Sequence, residues 1–154
     1  MPNNIERYAL NKNGEGYTDN TAMEGIKRAD KNKTSKQRVT EAEEQKALIQ
    51  WAKFQEKKYP ELKLLYHCPN GGTRNKLEAA NLKRQGVKAG VPDLFLPVPR
   101  NNKHGLFLEM KVGRNKCTDN QKKWIRALME QNYEVKVCYS CEEAINVIKR
   151  YLGI

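Results

Sequence analysis

The chain has 154 residues and a mass of 17.8 kDa, enough for one folded domain with a substantial core and too little for two large ones. It carries 29 Lys and Arg against 18 Asp and Glu, a formal charge of +11, which favours a polyanionic partner such as nucleic acid. Its apolar runs are only a few residues long, so we expect no membrane partner and a cytoplasmic, intracellular location. In that location its four cysteines are expected to be reduced thiols.

Residues 1–40 are predicted to form a flexible basic arm, because their apolar residues show almost no periodicity. The segment holds eight basic and five acidic residues, a net charge of +3, which leaves +8 for residues 41–154. Two roles stay open for the arm: an electrostatic tether to phosphates, and a solubilising or partner-binding tail. Most of its basic charge lies in one stretch with Asp30 as the single acid: Lys27, Arg28, Lys31, Lys33, Lys36 and Arg38.

Residues 41–154 are predicted to form one folded domain with regular structure throughout. The capping spacings Thr40–Glu43, Thr118–Gln121 and Ser140–Glu143 each precede a helical apolar pattern. The element order α-β-α-β-β-α-β-α predicts an α/β fold in which helices flank a mixed β-sheet. In chain order we expect a helix to about Lys57, a strand over Leu62–His67, a helix over 75–85, strands over Asp93–Val98 and Gly105–Lys111, a helix to about Gln131, a strand over Glu134–Cys138 and a helix to about Leu152.

The two central strands carry the residues most suited to chemistry. If their hairpin folds about a loop centred near Asn101, paired residue numbers sum to about 202, and Asp93 lies opposite Glu109. Strand alternation then puts Phe107, Glu109 and Lys111 on one face of the sheet. Because two opposed carboxylates repel each other, a basic chain that keeps them together is expected to bind a cation there.

Hard carboxylate oxygens suit Mg²⁺, which retains several waters and completes its coordination with substrate phosphate. A lysine beside the acids could position or deprotonate the attacking water and offset transition-state charge. The residues thus outline a phosphodiester hydrolase. Spacing alone leaves an alternative of equal weight, in which Glu109 and Lys111 are an ordinary exposed strand pair and Asp93 is a turn residue.

These motifs also resemble a known family. The segment Gly90-Val91-Pro92-Asp93-Leu94, followed after a spacer by Glu109-Met110-Lys111, is similar to the PD-(D/E)XK nuclease signature. Together with its surroundings it resembles the virus-type replication-repair nuclease, or VRR-NUC, domain family over residues 41–152. The accompanying motifs are Glu44-Gln45 with Leu48 and Trp51, His67-Cys68-Pro69-Asn70-Gly71-Gly72-x-Arg74, Leu82-Lys83-x-x-Gly86-Val87, Thr118-x-x-Gln121 and Tyr133-x-Val135-x-Val137-Cys138.

The resemblance implies a restriction-endonuclease-like core that binds Mg²⁺, with Mn²⁺ as a plausible substitute. Its metal ligands would be Asp93, Glu109 and the backbone carbonyl of Met110, with Lys111 as the catalytic lysine. This is the same set of side chains that the hairpin geometry brings together.

The resemblance also implies a carboxylate on the first helix as a further catalytic and metal-binding residue. Glu44 is the better match because it adjoins Gln45, with Glu41 as the second choice. Either acid could instead be a solvated charge favoured by the helix dipole. The family places a glutamine near the active site, and Gln121 corresponds to it, although its capping-box spacing explains it equally well. His67 is expected to be a structural residue at the end of a strand rather than a catalytic one.

Several residues around these motifs are candidates for binding DNA. The loop Asn70-Gly71-Gly72 could let the backbone approach a phosphate, or it could be only a tight turn. Two basic clusters bracket the acids and would attract a polyanion, or would simply form solvated helix faces. They consist of Arg74, Lys76, Lys83, Arg84 and Lys88 on one side, and Arg114, Lys116 and Lys122 with their neighbours on the other.

Taken together, the resemblance implies a metal-dependent, structure-specific DNA endonuclease. A Holliday-junction resolvase acting as a homodimer is the leading hypothesis, because two symmetric cuts call for two symmetric sites. A flap-type or nicking endonuclease, and a non-catalytic DNA-binding module, are the alternatives. No nucleotide cofactor is expected. Cys138 and Cys141 form a lone C-x-x-C, which has little further support as a zinc or redox site.

Overall fold

The computed structural model describes residues 39–69 and 76–154, together with strand residues 9–10 and 16–17. The chain divides into two compact units, Met1–Arg38 and Val39–Ile154. In the first unit, β1 (Ala9–Leu10) pairs antiparallel with β2 (Gly16–Tyr17), a short hairpin that the prediction of a flexible arm does not include. The basic stretch of the arm lies outside the described residues, so its role stays a prediction.

The second unit contains the predicted succession of helices and strands. All three predicted helix caps are confirmed, since the side chains of Thr40, Thr118 and Ser140 each accept a hydrogen bond from a backbone N–H three residues later. The elements are α1 (Glu41–Gln55), a 3₁₀ helix (Pro60–Leu64), β3 (Tyr66–His67), α2 (Lys76–Arg84), β4 (Leu94–Leu96), β5 (Leu106–Met110), α3 (Asp119–Glu130), β6 (Glu134–Cys138) and α4 (Cys141–Leu152).

Four strands form a mixed sheet in the order β3-β4-β5-β6, which confirms the predicted α/β class. The first two pairings are antiparallel and the third, between β5 and β6, is parallel. In the central hairpin Leu94 pairs with Leu108 and Leu96 with Leu106, so the predicted register is confirmed. One further step along this register brings Asp93 opposite Glu109.

The two faces of the sheet carry different layers. Leu94, Leu108 and Met110 belong to the main core cluster, to which α1 and α4 contribute Leu48 and Ile148 among others. The opposite face bears a smaller cluster around Phe107 and Val135, against which Ile125 and Leu128 of α3 pack. Because side chains alternate along a strand, Glu109 lies on the α3 face.

One predicted strand is wrong over most of its length. The sequence predicts a buried strand over Leu62–His67, but Pro60–Leu64 is a 3₁₀ helix, and only Tyr66–His67 is a strand, with both residues exposed. Proline suits the first position of a helix, and the buried Leu62 and Leu65 are three residues apart, which matches the three residues per turn of a 3₁₀ helix. Within the described residues, no helix is both long and apolar enough to span a bilayer.

Candidate active site

Asp93 is fixed at both its backbone and its side chain, directly before β4. Its Oδ2 accepts a hydrogen bond of 2.8 Å from the Met110 backbone N–H. Its backbone carbonyl accepts from the Cys68 N–H at 2.8 Å and lies 2.8 Å from Nδ1 of His67, which must therefore be the protonated ring nitrogen. Three strands thus hold the position of one carboxylate.

Glu109 is fully buried, which is rare for a carboxylate. Its Oε1 accepts hydrogen bonds from Lys111 Nζ, at 2.6 Å, and from Gln121 Nε2. Its Oε2 is also buried and finds no hydrogen-bond partner among the described residues. An unsatisfied buried carboxylate oxygen is costly, so an oxygen left in this state is a natural ligand for a cation.

Lys111 places its ammonium group among oxygens. Besides Glu109 Oε1, Nζ contacts the Met110 carbonyl at 3.1 Å and Glu41 Oε2 at 3.5 Å. The side chain is 6% exposed, so these interactions are little screened by water. Lys111 therefore shares two oxygen-bearing groups, Glu109 and the Met110 carbonyl, with the ligand set that the sequence predicts for the metal.

The two buried charges perturb each other. Burial raises the pKa of Glu109 to about 7, the hydrogen bond from Lys111 opposes this shift, and the charges of Asp93 and Glu41 add to it. Burial lowers the pKa of Lys111, but the hydrogen bond and charge of Glu109, with the charges of Glu41 and Asp93, outweigh that effect and leave the pKa raised. The lysine is therefore held in its charged form by the surrounding carboxylates.

Gln121 has two functions in the structure. Its Oε1 accepts a hydrogen bond of 2.8 Å from the Thr118 N–H, which completes the capping box of α3, and its Nε2 donates to Glu109. The two interpretations of this residue are therefore compatible, since one amide serves both the helix start and the buried acid.

The acid that α1 contributes to this cluster is Glu41, the second choice from the sequence. Its Oε2 contacts Lys111, and its Oε1 accepts a hydrogen bond of 2.9 Å from Asn115 Nδ2. Glu44, the first choice, is engaged elsewhere, because its Oε2 accepts a hydrogen bond of 2.5 Å from the Cys141 N–H at the start of α4. A carboxylate at that position stabilises a helix N-terminus, which gives Glu44 a structural role.

Sequence reasoning missed Asn115 and the packing of Gly90. Gly90 has φ +90°, and a Cβ there would lie 2.8–3.0 Å from backbone and side-chain atoms of Asn120 and Gln121. This glycine lets the turn before Asp93 rest directly against the first turn of α3. The Gly-Val-Pro-Asp sequence indicates that a turn is present. It does not indicate which element the turn contacts, because that depends on the tertiary structure.

The predicted DNA-binding residues divide into three groups. The loop residues Asn70, Gly71 and Gly72, with Arg74, lie outside the described residues. Lys76 begins α2, whose last turn carries the exposed Lys83 and Arg84. The third group consists of exposed residues: Lys88 between α2 and β4, and Arg114, Lys116 and Lys122 around the start of α3. Lys122 also forms an ion pair with Asp119 at 3.0 Å.

All four cysteines are free thiols. Burial raises the pKa of Cys138 to about 12, and burial together with the charges of Glu44 and Glu142 raises that of Cys141 to about 11. Thiolates are the reactive and metal-binding form, so this pair is poorly suited to redox exchange or zinc binding.

The oxygens of the cluster fit a divalent cation of the magnesium type. Within the described residues, no three Asp, Glu, His or Cys side chains converge as a complete metal site. Magnesium does not need one, because it takes one or two carboxylates and fills its remaining positions with water and phosphate. Asp93, the unsatisfied Glu109 Oε2 and the Met110 carbonyl supply such a partial set.

Comparisons with known proteins identify the family. The sequence model of the VRR-NUC domain matches residues 23–142, well over half of the chain. The chain belongs to the VRR-NUC domain family. A solved structure described as a VRR_NUC domain protein is 34% identical and superimposes with a TM-score of 0.64, over 76% of this chain and 91% of the other. No curated protein matches the chain.

Family membership confirms the resemblance noted in the sequence. It implies a nuclease whose substrate is DNA. The family match begins at residue 23, inside the segment predicted to be an arm, and the boundary of the domain at residue 41 stays a prediction.

Proposed function

We propose that this protein is a Mg²⁺-dependent, structure-specific DNA endonuclease, and that it resolves four-way junctions as a homodimer. The observation that carries the proposal is the cluster of the half-buried Asp93 with the buried Glu109 and Lys111, in which one Glu109 oxygen is buried without a partner among the described residues. A non-catalytic DNA-binding module would have no use for two acids beside a phosphate.

Asp93, Glu109 and the Met110 carbonyl would hold the metal. When bound, Mg²⁺ would polarise the scissile phosphate and lower the pKa of a coordinated water. The hydrogen bond from the Met110 N–H orients the Asp93 carboxylate, and that from Gln121 orients Glu109. These fixed positions reduce the reorganisation needed when the substrate binds.

Lys111 is the residue that would act on the substrate itself. Its ammonium group would donate hydrogen bonds to the phosphate and stabilise the negative charge that develops in the transition state. The carboxylates of Glu109 and Glu41 keep it charged and limit its motion. We therefore assign Glu41, and not Glu44, as the acid of α1 that supports the site.

The charge of the protein supports a polyanionic substrate, and a junction as that substrate would require a dimer. The folded domain carries most of the net charge of +11, with exposed basic residues before β4 and before α3. The part of the chain that the structure describes has one such acidic cluster, and two coordinated cuts at a four-way junction require two clusters related by a twofold axis. A flap or nicking endonuclease would need only one.

The test is cleavage of end-labelled four-way junction, splayed-arm, 5′-flap and linear duplex DNA, with Mg²⁺, Mn²⁺ or EDTA. We expect symmetric, metal-dependent cuts in the junction by the wild type. Glu109→Gln removes one charge without changing the side-chain shape and should lower the rate by about 100-fold or more, whereas Glu44→Gln should cut normally.

Three other results would change the proposal. Cuts confined to flaps or duplex would retain the chemistry and exclude the resolvase. Binding without cleavage in either metal would favour the DNA-binding module. Loss of activity in Glu44→Gln, with a retained rate in Glu41→Gln, would reverse the assignment of the helix acid.

A further inference from the structure

An exposed aromatic side chain lies beside the candidate active site, on the same face of the sheet. Tyr66 of β3 is 51% exposed, and Phe95, its partner on β4, contacts it edge to face with ring centroids 5.9 Å apart. Phe95 is itself stacked on Phe107, at 4.1 Å. Tyr66 is therefore the outer end of a row of aromatic rings that crosses the sheet.

The register puts this row directly beside the acids. Tyr66 pairs with Phe95 and Phe95 with Phe107, and the next positions on the same face are Asp93 and Glu109. Successive same-face residues of a strand are roughly 7 Å apart, and neighbouring strands roughly 5 Å. The Cα atoms of Tyr66 and Asp93 are thus separated by only about 8–9 Å.

The helix that covers this face reaches only part of the row. Ile125 and Leu128 of α3 pack around Phe107 and Val135, on the β5 and β6 side. Tyr66 stands on the edge strand at the other end and keeps half of its surface open. Half of its surface is thus accessible to a ligand beside the acids.

We propose that Tyr66 stacks on a base that is unpaired or unstacked next to the scissile phosphate, and so helps the enzyme to prefer branched DNA. This inference rests on the proposed function. An aromatic ring gains affinity by stacking on the face of a base, whatever its sequence. Linear duplex hides the faces of its bases, whereas a flap, or a four-way junction opened at its branch point, exposes them.

The test compares Tyr66→Ala and Tyr66→Phe with the wild type on branched and linear DNA. Cleavage is measured at saturating and subsaturating DNA, and binding is measured in the Glu109→Gln background. Base stacking in other proteins implies that Tyr66→Ala weakens binding to branched DNA by about 10-fold or more, with little effect on linear duplex. Tyr66→Phe keeps the ring and should behave as the wild type.

Phe54→Ala provides the matched control. Phe54 is an exposed aromatic residue, 48% accessible, and lies near the end of α1 that is far from Glu41. Its removal should therefore change neither the binding nor the cleavage of branched or linear DNA. A photocrosslink from a 5-iodouracil base at the branch point gives a direct readout, because it should map to Tyr66 by mass spectrometry.

The outcomes separate this inference from the proposed function. Wild-type protein that cuts no DNA would overturn both. Normal cleavage together with equal affinities of Tyr66→Ala and wild type for branched DNA would overturn only the stacking role. Equal losses on branched and linear DNA would do the same, since they would indicate a structural role or general contact.

Discussion

The buried carboxylate of Glu109 illustrates how function and stability oppose each other at a single residue. Glu109 has no exposed surface, and burial raises its pKa to about 7, so its charged form is disfavoured in the fold. Among the described residues, Lys111 and Gln121 donate hydrogen bonds to only one of its two oxygens. A polar group retained at such cost is a recognised mark of a functional site.

The position of Lys111 leads to a prediction about metal binding. Its ammonium group lies 2.6 Å from Glu109 and 3.1 Å from the Met110 carbonyl, both of which we assign to the metal. Two unit charges ~4 Å apart repel by ~4 kcal/mol at an effective dielectric constant of about 20, a divalent ion doubles this repulsion, and a flexible lysine avoids much of it. Lys111→Met should therefore bind Mn²⁺ about fivefold more tightly than the wild type, while losing about 100-fold or more in cleavage rate.

Isothermal titration calorimetry with Mn²⁺ measures this directly, without turnover. Glu109→Gln is the control and should lose most of the affinity, because it removes a ligand charge. Weaker Mn²⁺ binding by Lys111→Met than by the wild type would contradict the idea that ammonium and metal share these oxygens.

At the scale of elements, the sequence predicts the order of the elements and the pairing within a hairpin well, and it predicts contacts between elements distant in the chain poorly. The register of β4 and β5 follows from the loop centre and the twofold strand period, so the pairing of Asp93 with Glu109 is predictable from the sequence. Glu41 and Glu44 are three residues apart and share a side of α1, so the sequence could not separate them. The choice depends on how α1 crosses β5 and α4, which is a tertiary property.

Two glycines with similar backbones provide a prediction about how α3 is seated. Gly86 and Gly90 have φ of +95° and +90°, but a Cβ on Gly86 would meet nothing within 4 Å, whereas one on Gly90 would press on Asn120 and Gln121. Alanine at either position incurs the left-handed backbone cost of about 1–2 kcal/mol. Gly90→Ala should lower the free energy of unfolding by about 1–3 kcal/mol more, because it also overpacks the contact with α3.

Urea unfolding monitored by tryptophan fluorescence measures both variants. We also expect Gly90→Ala to lose cleavage activity at a temperature where it is folded, because it shifts Gln121 away from Glu109. Gly86→Ala, the matched control, should cut as the wild type. Equal stabilities of the two variants would show that the turn does not bear on α3.

At the scale of the whole molecule, composition and symmetry carry different information. The excess of 29 basic over 18 acidic residues predicts a polyanionic partner from composition alone, and family membership agrees. Oligomeric state has no such signature, because an interface depends on which surface residues become neighbours. The dimer therefore follows only from the proposed reaction, and it needs a test that counts active sites.

That test mixes two kinds of protomer. A hybrid purified through two different affinity tags, with one wild-type chain and one Glu109→Gln chain, should cut a single strand of a cruciform in supercoiled plasmid and leave nicked circles. The wild-type dimer should cut both DNA strands within one binding event and give linear DNA, since each protomer supplies one acidic cluster and each cluster cuts one strand. Linear product from the hybrid at the wild-type rate would mean that one cluster serves both strands and would overturn the two-site dimer, whereas nicked circles as the only product of the wild type would indicate a nicking endonuclease.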